Sequence, residues 1–151
     1  MTRCSVSAAF FDSNILIYAV DPRESSTEKR NVARDLITSR RCTLSTQVLM
    51  ETFNTLTRLK LMAPELAQSY IGRLSAYSVV SVEAEDVKKA LENRAAYKIN
   101  HWDGLILTSA EKVRLPILYT EDLSHGQVYG SVRACNPFIE DFLSSQSAQF
   151  Q

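Results

Sequence analysis

A three-layer α/β/α sandwich around a mainly parallel central sheet is the fold class this 151-residue sequence predicts. Short apolar runs alternate with amphipathic stretches over brief connections, the order of strand and helix in turn. The run Ala8 to Phe11 holds no polar residue, as in a central parallel strand covered on both faces. Acids stand at or just beyond the carboxyl ends of such runs, Asp12 after AAFF and Asp122 in PILYTED, where open parallel sheets gather functional groups.

The elements follow in order. Ser13 to Val20 reads as a short helix, stopped at Asp21-Pro22 because proline disfavours helical geometry in the residue before it. Ser25 and Glu28 form a capping-box pattern opening a helix to about Arg40, with Val32, Ala33, Leu36 and Ile37 as its apolar stripe. Cys42 to Ser45 is a second strand. Thr46 to Lys60 is helical by period, with Leu49, Phe53 and Leu56 on one face. Pro64 suits the first position of the next helix, which runs to about Ala76. Ser78 to Val82 alternates as a third strand, and Glu83, Glu85 and Asp86 complement the dipole of the helix after it. Trp102, Leu105, Ile106, Ser109, Ala110 and Val113 recur at helical spacing. Leu115 to Tyr119 is a fourth strand with Pro116 tolerable at its start, followed by the turn Thr120-Glu121-Asp122. Val132 to Cys135 reads as a fifth, edge strand. With no repeat or linker, residues 1–143 are expected to form one domain, with 144–151 as a frayed polar tail.

Composition narrows the function. Lys plus Arg equals Asp plus Glu at 17 each, so no global basic charge announces a nucleic-acid binder. Nucleic-acid binding would have to be local, around Lys29, Arg30 and Arg34, Arg40 and Arg41, Arg58 and Lys60, or Lys88, Lys89, Arg94 and Lys98, each of which also reads as a solvated helix face. Cys4, Cys42 and Cys135 lack metal-type spacing and read as reduced thiols of a cytoplasmic protein. The stretch from Ser7 to Val20 is interrupted by Asp12 and is not a signal peptide. No apolar run approaches membrane-spanning length.

The chemistry lies in four carboxylates, Asp12, Glu51, Asp103 and Asp122. Like charges about 4 Å apart repel by roughly 4 kcal/mol per pair at an effective dielectric near 20, so a fold that gathers them needs a counter-ion. Hard oxygen ligands point to Mg²⁺ or Mn²⁺. Asp12 and Asp122 qualify by their strand-end positions, and Asp103 stands at a helix amino end one turn before Ile106 and Leu107. Glu51 falls nearly opposite the stripe of its helix, and pattern alone reads it as a solvated surface acid.

The blocks FFDSNILIYAVD, STQVLMETFN, INHWDGLILTSA and PILYTEDLSHGQ, in that order from Phe10 to Gln127, resemble the successive blocks of PIN-domain ribonucleases, and among them the VapC toxin group. The resemblance extends over nearly the whole chain, to about Pro137. It implies that Asp12, Glu51, Asp103 and Asp122 coordinate Mg²⁺ or Mn²⁺, and that Thr120 supplies a supporting hydroxyl. It also implies hydrolysis of RNA, often tRNA or ribosomal RNA, by a metal-activated water, leaving a 5′-phosphate and a 3′-hydroxyl. A cognate antitoxin and a homodimer belong to the same expectation, with Val48, Leu59, Leu61 and Met62 as candidates for the dimer face.

Asn14 follows the first acid as in the family and by itself reads as a helix cap; Thr120 by itself reads as a β-branched strand end. Glu121 is expected to face solvent. His125 is either a surface loop residue or a group that touches RNA or donates a proton. Asp12-Ser13-Asn14 lacks the Asp-x-Asp of haloacid dehalogenase phosphatases, and the acid pair and late lysine of a receiver domain are absent. The alternative is a non-catalytic PIN-like module that binds RNA or protein; four costly carboxylates together argue against it.

Overall fold

The computed structural model describes residues 7–139. Its core is a six-stranded sheet. Strands β1 (Ala8–Phe11), β2 (Arg41–Ser45), β3 (Ser78–Val80), β4 (Ile117–Tyr119), β5 (Val128–Tyr129) and β6 (Val132–Cys135) lie in the order β3-β2-β1-β4-β6-β5. All pairings are parallel except that of β5 with β6. The α-helices are α1 (Ser13–Tyr18), α2 (Thr27–Ser39), α3 (Thr46–Arg58), α4 (Pro64–Leu74), α5 (Ala84–Tyr97) and α6 (His101–Lys112), and they flank the sheet in two groups. The first four pack in succession, α1 on α2 and α3, and α3 on α4. In the second group α5 packs on α6, which lies against β4 and β6. The mainly parallel sandwich read from the sequence is the observed one.

Chain order leaves β1 in one direction to build β2 and β3, then returns to place β4 on the other side of β1. The carboxyl ends of β1 and β4 are therefore a topological switch point, where connections leave in opposite directions and open a crevice. Phe10, Phe11, Leu44, Leu118 and Tyr119 are wholly buried in these central strands, as their unbroken apolar runs require.

Several boundaries differ from the sequence reading. Val132–Cys135 is not the edge strand: it lies between β4 and a two-residue β5 that occupies the edge in an antiparallel hairpin. So short a strand carries no periodic signal. The Ser25–Glu28 capping box is not formed. A 3₁₀ turn over Glu24–Ser26 precedes α2, and Ser26, at the cap position, turns its hydroxyl to Asp21 at 2.8 Å. A capping box forms instead at α5, between Glu83 and Asp86. Of the apolar residues expected at a dimer face, Val48 is wholly buried in the core, and Leu61 and Met62 pack partly against it. Cys42 is a free, buried thiol, but Cys135 is disulfide-bonded, which corrects the reading of all the cysteines as reduced. Cys4 and the expected polar tail at 144–151 lie outside the described residues. No described helix is long and apolar enough to cross a membrane.

Two contacts fix neighbouring helices to one another. Asp21, fully buried, ends the α1 turn by accepting from the Arg23 backbone N–H at 3.0 Å, the Arg23 guanidinium at 2.7 to 3.1 Å and Ser26 Oγ at 2.8 Å. The Arg23 guanidinium foremost holds its carboxyl down to about 2. At the α5–α6 crossing, a Cβ on Gly104 would stand 2.6 Å from the carbonyl oxygen of Ala90, so glycine is what lets the helices approach this closely.

Because the folded-state pKa of Asp21 lies below its unfolded value, its contribution is complete above about pH 4 and disappears as pH falls through about 2. Asp21→Asn is expected to cost about 1 to 2 kcal/mol near neutrality and nothing at pH 1 to 2, by urea unfolding across pH. A constant deficit at all pH values would assign the loss to packing instead. Gly104→Ala is expected to destabilise by about 1 to 3 kcal/mol despite alanine's better helix propensity, because a backbone carbonyl is in the way. Unchanged urea unfolding would show that α5 and α6 can separate freely.

Candidate functional site

Asp12 sits directly after β1, buried to 2% exposure. Its backbone N–H donates to the Tyr119 carbonyl at 3.0 Å, extending the β1–β4 ladder by one residue. Its Oδ1 caps α1 by accepting from Ser13 N at 2.6 Å. Its Oδ2 accepts from Thr120 Oγ1 at 2.7 Å, just beyond β4. The same Thr120 oxygen accepts from Asp122 N at 3.1 Å. One wholly buried hydroxyl thus ties the acid of β1 to the backbone of the acid after β4.

Asn14, in the first turn of α1, donates from Nδ2 to Asp122 Oδ2 at 3.2 Å and makes a longer contact of 3.5 Å to Asp12 Oδ2. Asp103 enters from the first turn of α6 and is half-buried. One carboxylate oxygen from each of Asp12, Asp103 and Asp122 lies within 4.8 Å of the others. Glu51 is outside that group of three but borders it. It accepts from Ser13 Oγ at 3.3 Å and from Gln47 Nε2 at 2.7 Å, and the Gln47 amide also reaches the Trp102 carbonyl at 3.2 Å.

Residues 9–130 match the PIN-domain family. The chain belongs to that family. Its fold is similar to a toxin–antitoxin complex from Klebsiella pneumoniae, at TM-score 0.64 and 20% identity, covering 87% of this chain and 98% of the other. It is also similar to the Mycobacterium tuberculosis toxin VapC20, described as cleaving the sarcin-ricin loop, at TM-score 0.64 and 19% identity over 91% and 95% of the two chains. VapBC2 from Rickettsia felis, bound to a DNA fragment of its promoter, gives TM-score 0.59 and 19% identity over 84% and 96%. No curated protein matches the sequence.

The electrostatics of this PIN domain are those of a site short of positive charge. Burial raises the Asp12 carboxyl to about 7; the Thr120 hydrogen bond opposes the rise, and the Asp122 and Glu51 charges add to it. Burial, then Asp122 and Glu51, raise Asp103 to about 6. Asp122 is raised by burial and by Glu121, against the Asn14 hydrogen bond. Asn14 Oδ1 and Gln47 Oε1 are buried and have no hydrogen-bond partner among the described residues. Three clustered carboxylates, with an unpaired amide oxygen beside them and no histidine or cysteine among them, suit a hard divalent cation.

The sequence reading of Glu51 as a solvated surface acid does not hold. Helix α3 fully buries Val48, Thr52 and Leu56; Leu56 belongs to the expected stripe, whose Leu49 and Phe53 pack only partly against the core. Thr52 is wholly buried because its hydroxyl donates to the Val48 carbonyl at 2.7 Å, so a polar residue occupies a core position. That rotates Glu51, one turn after Val48, to the flank of the buried face. Glu121 does not face solvent either: it accepts from Tyr18 and pairs with Lys29. His125 stays out of the cluster and latches its loop, its Nδ1 accepting from Asn136 N at 2.9 Å. Sequence reasoning passed over Ser13 and Gln47. Gln47 stands four residues before Glu51 on one helix, a spacing that brings side chains together.

Asp12→Asn removes a buried charge that faces other carboxylates. Without metal at pH 8 the variant is expected to be more stable than wild type by roughly 1 to 2 kcal/mol. The sign follows from a folded-state pKa above the unfolded one: wild-type stability declines as pH rises from about 4 through 7. Urea unfolding in chelator from pH 4 to 8 measures both. A variant less stable at pH 8 would mean that the Ser13 and Thr120 hydrogen bonds outweigh the repulsion.

Proposed function

We propose that this PIN domain is a divalent-metal-dependent ribonuclease of the VapC type, the toxin of a toxin–antitoxin pair. The observation that carries the reading is the convergence of Asp12, Asp103 and Asp122 at the switch point between β1 and β4. These three carboxylates would hold Mg²⁺ or Mn²⁺, with Glu51 completing the shell from the flank, directly or through water. A divalent ion there supplies charge that acidifies water and offsets the negative charge growing on a leaving phosphate oxygen. Thr120 positions Asp12 by donating to its Oδ2, and Asn14 orients Asp122 by donating to its carboxylate. Glu51, held by Ser13 and Gln47, would accept a proton from a water entering beside the cluster.

The substrate is RNA, of the ribosomal or transfer class, cut to a 5′-phosphate and a 3′-hydroxyl; the sarcin-ricin loop cleavage ascribed to the M. tuberculosis toxin supports that class. Glu51, Asn54 and the exposed Trp102 line a cleft of about 550 Å³ beside the acids. An unpaired base can stack on such an aromatic ring. The antitoxin partner is supported by the complexes among the similar structures. A groove of about 560 Å³, walled by Ala19, Ile37, Tyr70 and Leu74, offers it an apolar seat. A homodimer would use exposed Leu59, Met50 and Leu66 in place of the buried Val48. Residues 1–143 form the nuclease domain in this reading, and its place is the cytoplasm, where these RNAs are.

The test is to incubate the purified chain with total RNA in Mg²⁺, in Mn²⁺ and in chelator, beside Asp12→Asn and Asp103→Asn. Cleavage is expected only with metal and to fall to background in both variants. Equal cleavage by wild type and variants would trace the activity to a contaminant. Absence of cleavage by folded wild type on every RNA would favour the non-catalytic module.

A further inference from the structure

Glu121 and Asp122, adjacent just beyond β4, are turned to opposite sides of the chain. Asp122 faces Asn14 and the acid cluster, while Glu121 is gripped from the other side at both oxygens. Its Oε1 accepts from the Tyr18 hydroxyl at 2.9 Å, and its Oε2 pairs with Lys29 Nζ at 2.9 Å. Lys29 also donates to the Tyr18 hydroxyl at 3.1 Å and stands 4.6 Å from the centre of that ring. Tyr18 in turn packs edge-on against Phe138 at 5.0 Å. The grip therefore joins the end of α1 and the first turn of α2 to the segment that carries Asp122.

We propose that Lys29 and Tyr18 are positioning residues that act through Glu121 to hold Asp122 turned into the cluster, and so set the affinity of the site for a divalent cation. The second half rests on the metal reading above. Asp122 needs such support because it is the exposed member of the three and follows a bend without regular secondary structure. Its own side chain has one firm partner among the described residues, Asn14. Exposed ion pairs contribute little to stability. Here the carboxylate is gripped by two helices at once, and the constraint falls on its backbone.

Charge and positioning predict opposite signs. Lys29 is a cation near a cation site, so by charge alone its removal leaves Glu121 unneutralised and strengthens metal binding. If Lys29 positions Asp122, its removal weakens binding.

The experiment uses the full chain as wild type, Lys29→Met, Lys29→Arg and the milder Tyr18→Phe. It measures exchange of the Asp122 amide proton by NMR without metal, and Mn²⁺ affinity by electron paramagnetic resonance. Loss of a charge-assisted hydrogen bond is expected to speed Asp122 exchange and weaken Mn²⁺ binding about tenfold each in Lys29→Met. Exchange in β1 and β4 should not move, Lys29→Arg should restore most of both effects, and Tyr18→Phe should show the same pattern more weakly. Unchanged exchange at Asp122, or Mn²⁺ bound as tightly or more tightly by Lys29→Met, overturns the proposal. If wild type binds no Mn²⁺, the metal reading and its affinity clause fail together, and positioning of Asp122 stands or falls on the exchange data.

Discussion

A carboxylate buried at the end of a central strand is the constraint on which the rest of this structure depends. Asp12 has almost no contact with solvent, and a carboxylate charge so placed must find partners or take up a proton. Three partners converge on it. The Ser13 amide offers the start of α1, the Thr120 hydroxyl offers the end of β4, and Asn14 leans from the first turn of the same short helix. Together they connect α1 and the end of β4 to one side chain, so the geometry of the switch point and the protonation of Asp12 are coupled.

The partners do not suffice. The Thr120 and Ser13 hydrogen bonds oppose the rise in the pKa of Asp12, but burial first, and the neighbouring carboxylates after it, leave Asp12 at about 7 and Asp103 at about 6. An arrangement optimised for the stability of the free protein would place an arginine or an apolar residue there. Local destabilisation of this kind, concentrated in one crevice, is the physical signature of a site meant to receive something. A ligand that binds only the folded form returns the stability through linkage.

Much of the architecture was legible from residue order. The apolar strands announced a parallel sheet, and strand-end position was enough to single out Asp12 and Asp122. What escaped did so for identifiable reasons. The edge strand β5 has two residues and no period to read. The register of α3 was misjudged because a buried threonine, satisfied by its own helix backbone, occupies a core position that a hydrophobic pattern assigns to solvent. For the same reason pattern alone read Glu51 as solvated, and only the family resemblance pointed to it. Ser25 and Glu28 carried a sound capping pattern that lost to Asp21, whose burial claimed the neighbouring Ser26 hydroxyl. In the last two cases a side-chain hydrogen bond overrode the pattern, which sequence spacing alone does not record.

The acids reach the crevice on supports of unequal stiffness. Asp12 and Thr120 directly follow paired central strands whose last two side chains, Phe10 and Phe11, Leu118 and Tyr119, are wholly buried. Asp103 arrives on α6, whose distance from α5 is set by the absent side chain of Gly104, the very next residue. Near its start α6 is joined to α3 through the Gln47 amide and the Trp102 carbonyl. Asp122 hangs from a bend. A cation at the centre of the three would therefore link a rigid strand pair, a docked helix and a loop. The strands can adjust least, so the loop and the helix end must accommodate the ion, and small changes at Gly104, Gln47 or Glu121 should reach the site without touching it.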